Sequence, residues 1–259
     1  MFTLSSLQQR GPAGARGWRA YAIGDIHGRL DLLDRLLAKI EDDFRSRRTR
    51  RILLVFVGDL IDRGPSSAQV IERLRTYRRE GVRTLFLLGN HEEVLLRILR
   101  GDSDLIAKWC SFGGAECLES YGVSRADMAG REGEEALAVI RKAIPRKHVE
   151  FLESFADSCR FGDYLFVHAG IRPGVGVEEQ RQTDLRWIRE PFLLDETDHG
   201  FVVVHGHTIS PEIQHRPNRI GIDTGAYRTG VLTALAMEGT QSWHLDTRSA
   251  EDEQSQLVH

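Results

Sequence analysis

Nine residues in five short segments carry the chemistry that this sequence can perform. Asp25 and His27 sit in Gly-Asp-Ile-His-Gly. Asp59, Asp62 and Arg63 sit in Gly-Asp-Leu-Ile-Asp-Arg-Gly, and Asn90 and His91 in Gly-Asn-His-Glu. His168 opens His-Ala-Gly, and His207 stands in His-Gly-His-Thr. Asp25, His27, Asp59, Asn90, His168 and His207 offer oxygen and nitrogen donors and no thiolate, a set that suits Mn2+, with Fe or Zn2+ as alternatives. Six donors are too many for one catalytic metal and fit two divalent ions that share a carboxylate. Such a pair, about 3.5–4 Å apart, lowers the pKa of a bridging water from about 15.7 towards ~7 and neutralises phosphoryl oxygens. The chemistry expected is hydrolysis of a phosphate ester by in-line attack of a bridging hydroxide. His91 is placed to give the leaving oxygen a proton, with Asp62 holding its imidazole charged. Arg63 and a second arginine would clamp the phosphate oxygens.

These residues need elements that bring them to one place. Each of the first three segments follows an apolar run and precedes a helical one. They recur roughly every 30 residues, the length of one strand–helix unit. Strands are expected over Arg19–Ile23, 52–57 and 84–88, each followed by an amphipathic helix, such as the one with Leu30, Leu33, Leu37, Ile40 and Phe44 on one face. A βαβαβα pattern with short turns implies a right-handed parallel sheet. In such sheets the ligand site lies beyond the carboxyl ends of the strands, where all five segments fall.

Residues 102–158 lose the strand signal and read as a helical cap inserted over the edge that carries the motifs. Strands return at Tyr164–Val167, 201–204, 219–222 and 231–237 and form a mixed or second sheet. The domain is expected to span 19–246, with a flexible arm at 1–18 and a polar tail at 247–259.

Composition excludes several classes. With 41% hydrophobic and 28% charged residues over 259 positions, the chain reads as a globular protein of one large domain. A net charge of −3 argues against a dedicated nucleic-acid binder. The Arg-rich run at 45–51 reads as a solvated helix end and loop. Cys110, Cys117 and Cys159 are too few and too irregular for a disulfide framework, which fits a reducing, cytoplasmic setting. No membrane span and no secretion signal are read from the sequence.

The segments GDIHG, GDLIDRG, GNHE, HAG and GHT, in this order, resemble the phosphoprotein-phosphatase branch of the calcineurin-like metallophosphoesterases. Within that branch the chain is most similar to the small bacterial and phage-lambda-type serine/threonine protein phosphatases, with Asp-Leu-Arg-Trp-Ile-Arg-Glu at 184–190 and Ile-Asp-Thr-Gly-Ala at 222–226 as further points of likeness. The resemblance implies an α/β fold, a central mixed β-sandwich flanked by helices. It also implies one metal on Asp25, His27 and Asp59 and another on Asp59, Asn90, His168 and His207. His91 becomes the general acid, Asp62 its partner, and Arg63 and Arg189 the phosphate-binding pair, with Arg186 an available substitute for Arg189. His205 reads as a neighbour of the site, and Asp223 as either a supporting acceptor or a turn former.

The substrate implied is a phosphorylated protein or a small phosphate ester. Diadenosine tetraphosphate hydrolases share the core and are the alternative. They usually carry Asp at the position of Glu92 and often lack the Asp of Asp-Arg-Gly, so Glu92 and Asp62 favour the phosphatase. A non-catalytic metal-binding scaffold is the remaining possibility.

Overall fold

The computed structural model describes residues 11–47 and 51–249. The expectations for 1–10, for part of the Arg-rich run and for most of the tail lie outside the described residues. In chain order the elements are β1 (Arg19–Ile23), α1 (Leu30–Ser46), β2 (Ile52–Phe56), α2 (Ser67–Arg75), β3 (Val82–Phe86) and α3 (Asn90–Arg100). Five helices follow: α4 (Ile106–Trp109), α5 (Ala115–Ser120), α6 (Arg125–Met128), α7 (Gly133–Ala143) and α8 (Arg146–Glu153). The second half contains β4 (Ser158–Phe161), β5 (Tyr164–Val167), α9 (Gln182–Trp187), β6 (Val202–His205), β7 (Gln214–His215), β8 (Arg219–Gly221), α10 (Ala226–Thr229), β9 (Thr233–Glu238) and β10 (Gln241–Asp246).

Two five-stranded sheets stack face to face. The first has the order β10-β9-β1-β2-β3, with β1, β2 and β3 parallel and β9 and β10 antiparallel to their neighbours. The second has the order β4-β5-β6-β8-β7, with β5, β6 and β8 parallel and antiparallel strands at both edges. The central strands β1, β2, β5 and β6 are buried nearly throughout because both of their faces are covered. Ala20, Ala22, Val55 and Val57 point between the sheets to meet Phe166, Val202, Val204 and Ile220. Their alternates Tyr21, Ile23, Leu54 and Phe56 pack on the helices, which present Leu33, Leu36, Ile40, Val70 and Leu95. Leu165, Val167 and Val203 face outward under Ile171, Leu185 and Phe192. The architecture is therefore an α/β sandwich of two mixed sheets flanked by helices, the calcineurin-like metallophosphoesterase fold.

One pairing differs from the expected layout. The late strand β9 leaves the second sheet to lie antiparallel to β1 in the first. It buries Leu235 and Met237 between the sheets, and these side chains fill the layer beside Ala20 and Ala22. Residues 13 and 14 of the expected arm are tied down: Ala13 N donates to Asp163 Oδ2 at 2.9 Å and Gly14 N to Gly239 O at 2.8 Å.

Candidate active site

The turns after β1, β2, β3 and β5 and the end of β6 converge at one end of the sandwich, so two sheets together present the five motifs. Among the described residues, the non-glycine residues with left-handed backbone are His27, Asp59, Asp62, Arg63 and His207, at φ between 46° and 71°. All five belong to the motifs. Left-handed backbone is costly for residues with a Cβ, so its confinement here marks turns shaped for side-chain placement rather than for comfort.

Two groups of buried donors lie close enough to hold metal. His27, Asp59 and His91 form one, and Asp59, His168 and His207 the other, with ligand atoms in each group within 4.8 Å of one another. Asp59 is common to both, which makes a dinuclear site. His168 Nδ1 lies 2.8 Å from the Val57 carbonyl, which can only accept, so Nδ1 carries the proton and Nε2 offers its lone pair. That lone pair faces Asn90 Oδ1 at 2.9 Å and Asp59 Oδ1 at 3.4 Å. His27 repeats the arrangement, with Nδ1 2.8 Å from the Ile61 carbonyl and Nε2 3.6 Å from Asp59 Oδ2. His207 Nδ1 meets the same Asn90 oxygen at 2.8 Å, and its Nε2 is buried without a hydrogen-bond partner. Acceptors converging on acceptors, with a buried nitrogen left unpaired, are what a pair of cations would satisfy, so the residues fit the metal ions implied by the motifs.

The electrostatics agree. Burial resists charge on Asp59, but the surrounding imidazoles, His168 foremost, pull its carboxyl below the usual carboxylate range when they carry a proton. Burial keeps His27 and His168 below the ordinary histidine value, and takes His207 down to about 3, so these imidazoles are neutral, the form that binds metal. For His91, burial also favours the neutral ring, and Arg63 does too. Asp59 and Asp62 outweigh them and raise its pKa to about 9.

His91 Nδ1 lies 2.6 Å from Asp62 Oδ2, and the Trp109 indole Nε1 donates to the same oxygen at 2.8 Å. Arg63 reaches back over the site, with its terminal nitrogens 3.0 Å from His27 Nε2 and 3.1 Å from His91 Nε2 and its guanidinium 4.6 Å from the centre of the Tyr227 ring. Arg189 lines the cleft, as do Asn90, His91 and Asp59. Arg186, its possible substitute, is engaged elsewhere: it binds Asp157 Oδ1 through Nε at 2.9 Å and Glu93 at 3.2 Å. His205 is buried away from the triads, against the Phe192 ring, and burial lowers its pKa to about 4.

Asp25 belongs to neither triad but lies against the second through His207. Its oxygens accept the backbone N–H of His207 at 3.0 and 3.3 Å, and the Asp223 carboxyl acts on it electrostatically. Burial, Asp223 and Asp59 raise its pKa well above the ordinary carboxylate value.

Several residues near the site have roles that the sequence did not reveal. Glu92 is fully buried, and its two oxygens accept N–H groups from Asp59 at 2.9 Å, Leu60 at 2.7 Å and Gly89 at 3.0 Å. It braces two motif turns against each other and does not line the cleft. A Cβ on Gly89 would run into Asp59 and come within 2.7 Å of Glu92 Oε2, which explains glycine at this position. Trp109, Tyr227, Phe112 and Trp187 were also unassigned. Helical geometry breaks at Phe112 and at Gly113 (φ 111°). That break brings Gly113 O to 3.0 Å from Arg63 N, so close that a Cβ at Gly113 would lie 2.5 Å from the same nitrogen.

The cleft above the triads has a volume of about 410 Å3. Val94, Arg97, Leu105, Lys108, Trp109, Phe112 and Trp187 form its outer walls. The cap helix α4 therefore supplies part of the substrate surface and, through Trp109, part of the His91–Asp62 arrangement.

Comparison with known proteins places these features in a wider group. A model of the calcineurin-like phosphoesterase family matches residues 19–232. The chain is 30% identical to serine/threonine-protein phosphatase 1 of Salmonella typhimurium over 86% of its own length and 94% of that protein. It is 28% identical to the symmetrical bis(5'-nucleosyl)-tetraphosphatase of Dechloromonas aromatica, over 89% and 97%. A solved structure of a candidate diadenosine tetraphosphatase superposes with a TM-score of 0.60 at 22% identity, covering 90% of this chain and 98% of that one.

Proposed function

The chain belongs to the calcineurin-like phosphoesterase family, and from that membership we propose that it is a metal-dependent hydrolase of phosphoanhydride bonds in dinucleoside polyphosphates. The observation that carries this reading is the charge of the cleft. Lys108 and Arg189 line it and make no ion pair among the described residues, and Arg63 lies deeper beside the triads. Three cations exceed what one phosphate monoester needs and suit a chain of phosphates. Relatives named for nucleosyl-tetraphosphatase activity also stand beside those named for protein phosphatases. The Glu92 argument for a phosphatase loses its force, because Glu92 holds backbone rather than substrate.

His27, Asp59 and Asp25 would hold one ion, and Asp59, Asn90, His168 and His207 the other. Mn2+ is the ion proposed, since every donor is oxygen or nitrogen. When bound, such ions supply Lewis acidity towards phosphoryl oxygens and acidify water. Arg63, backed by Tyr227, and Arg189 orient the phosphoryl group being transferred. His91 gives a proton to the departing oxygen, and Asp62 holds the ring with Nε2 turned to the cleft.

A serine/threonine protein phosphatase is the second reading, favoured by the hydrogen-bonded His91–Asp62 pair. A serine alkoxide is a poor leaving group and needs a proton, whereas the phosphate released from an anhydride leaves readily without one. The deciding measurement is kcat/KM for diadenosine tetraphosphate against a phosphoserine peptide, with Mn2+ saturating both assays. The proposal expects the dinucleotide to win by at least ~100-fold, about 2.7 kcal/mol of transition-state stabilisation. A preference for the peptide overturns it.

A further inference from the structure

Four large hydrophobic side chains are exposed among the described residues: Phe112, Trp187, Leu194 and Ile209. Both aromatic ones line the cleft above the triads. Exposing such rings forgoes hydrophobic burial, and an exposed apolar surface at a cleft mouth is commonly a recognition surface. Trp187 is 42% exposed, yet its Nε1 donates to Glu93 Oε2 at 3.1 Å, and that carboxylate also takes Arg186 at 3.2 Å. Arg186 is anchored in turn on Asp157. The indole is pinned at its polar edge while its face stays open. Phe112, 58% exposed, sits on the backbone break whose next residue, Gly113, accepts the Arg63 N–H at 3.0 Å. Its backbone is thereby tied to the turn that carries the arginine nearest the triads.

The cleft thus presents two aromatic rings and the unpaired cations Lys108 and Arg189, all four exposed, around the buried metal-holding groups. This set matches a planar base, a run of phosphates and a reacting phosphoryl group. A phosphoserine peptide offers one phosphate and gives Lys108 and Arg189 no joint task.

We propose that Phe112 and Trp187 form a base-stacking subsite for the nucleobase of a nucleoside polyphosphate. The inference rests on the functional reading above, but it is tested through binding rather than through turnover of the dinucleotide. The experiment compares ATP with inorganic triphosphate as competitive inhibitors of p-nitrophenyl phosphate turnover, with Mn2+ kept in excess of both. The two inhibitors share their phosphates and differ in the nucleoside.

Stacking of a base on an aromatic side chain predicts ATP to bind at least ~10-fold more tightly than triphosphate. In the Phe112→Ala/Trp187→Ala double variant this preference falls to within about 2-fold of unity, whereas Trp187→Phe keeps most of it. No preference in the unsubstituted chain, or one that survives the double substitution, overturns the subsite. So does a double variant that loses phosphopeptide binding where ATP was never preferred, since the rings then serve a peptide. A chain that prefers ATP through these rings yet fails to cleave diadenosine tetraphosphate keeps the subsite and loses only the functional reading.

Discussion

Asp62 and His91 are joined by a 2.6 Å contact between Oδ2 and Nδ1, and a residue of the cap completes it: Trp109 Nε1 donates to the same oxygen. Asp62 is fully buried, and its backbone N–H donates to Ser67 Oγ at 2.9 Å, which anchors the turn that carries the carboxylate. The pair fixes which imidazole nitrogen faces the cleft. It also ties the proposed proton donor to an element that shapes the substrate surface.

Replacing His91 by Asn separates the two candidate reactions. General-acid assistance is worth about 10²–10⁴-fold where the leaving group needs a proton. With Mn2+ saturating, His91→Asn is expected to lower kcat for a phosphomonoester by at least ~100-fold and for diadenosine tetraphosphate by at least ~10-fold less. Equal losses on both substrates would show that His91 acts through metal binding instead.

Asp59 belongs to both triads, so its loss should be felt by both ions. Asp59→Asn removes the charge and weakens binding at each position. Elemental analysis after equilibration with Mn2+ and desalting should give less than one ion per chain. Two retained ions would end the bridging assignment.

Glu92→Asp tests the bracing role. A side chain shorter by one methylene cannot reach the N–H groups of Asp59, Leu60 and Gly89 together. Each buried N–H left unpaired costs about 1–3 kcal/mol. The variant should melt at lower temperature and turn over ester and anhydride at an unchanged ratio. A ratio altered 10-fold would return Glu92 to the substrate-selecting residues.

His205 gives a pH dependence with a definite sign. Burial depresses its pKa to about 4, against about 6.5 in the unfolded chain. Between these values the unfolded state binds a proton that the folded state refuses, so stability falls as pH drops from about 6.5 towards 4. At full effect one proton is worth about 1.4 kcal/mol per pH unit. Denaturant titrations of the metal-free protein between pH 7 and 4.5 should show a shallower acid slope for His205→Asn. An identical slope would mean that His205 is not buried as a neutral ring.

The sequence made legible what is local. Each motif lies within a few residues of the apolar run and the helix that frame it, so the strands at Arg19–Ile23 and Tyr164–Val167 and the turns beyond them could be read from periodicity. Long-range pairing could not. Nothing in residues 233–238 says that they pair with 19–23 rather than with a nearer strand, and the polar alternation of β10 is that of a two-faced edge. Within the site, donors announced themselves by type, but the residues that hold them did not. Glu92 looked like part of a motif, and only its hydrogen bonds reveal a brace. Arg186 and Arg189 look equivalent until the Asp157 and Glu93 carboxylates claim the first. Trp109 and Tyr227 lie on other segments and reach Asp62 and Arg63 only after folding.

The left-handed backbone at His27, Asp59, Asp62, Arg63 and His207 carries an evolutionary consequence. Strain of this kind costs up to about 1–3 kcal/mol per residue. Glycine would relieve it at every one of these positions and would delete the functional side chain in the same step. Drift towards greater stability therefore runs directly against catalysis, and a lineage released from selection for turnover should lose these five residues early while its sandwich core persists.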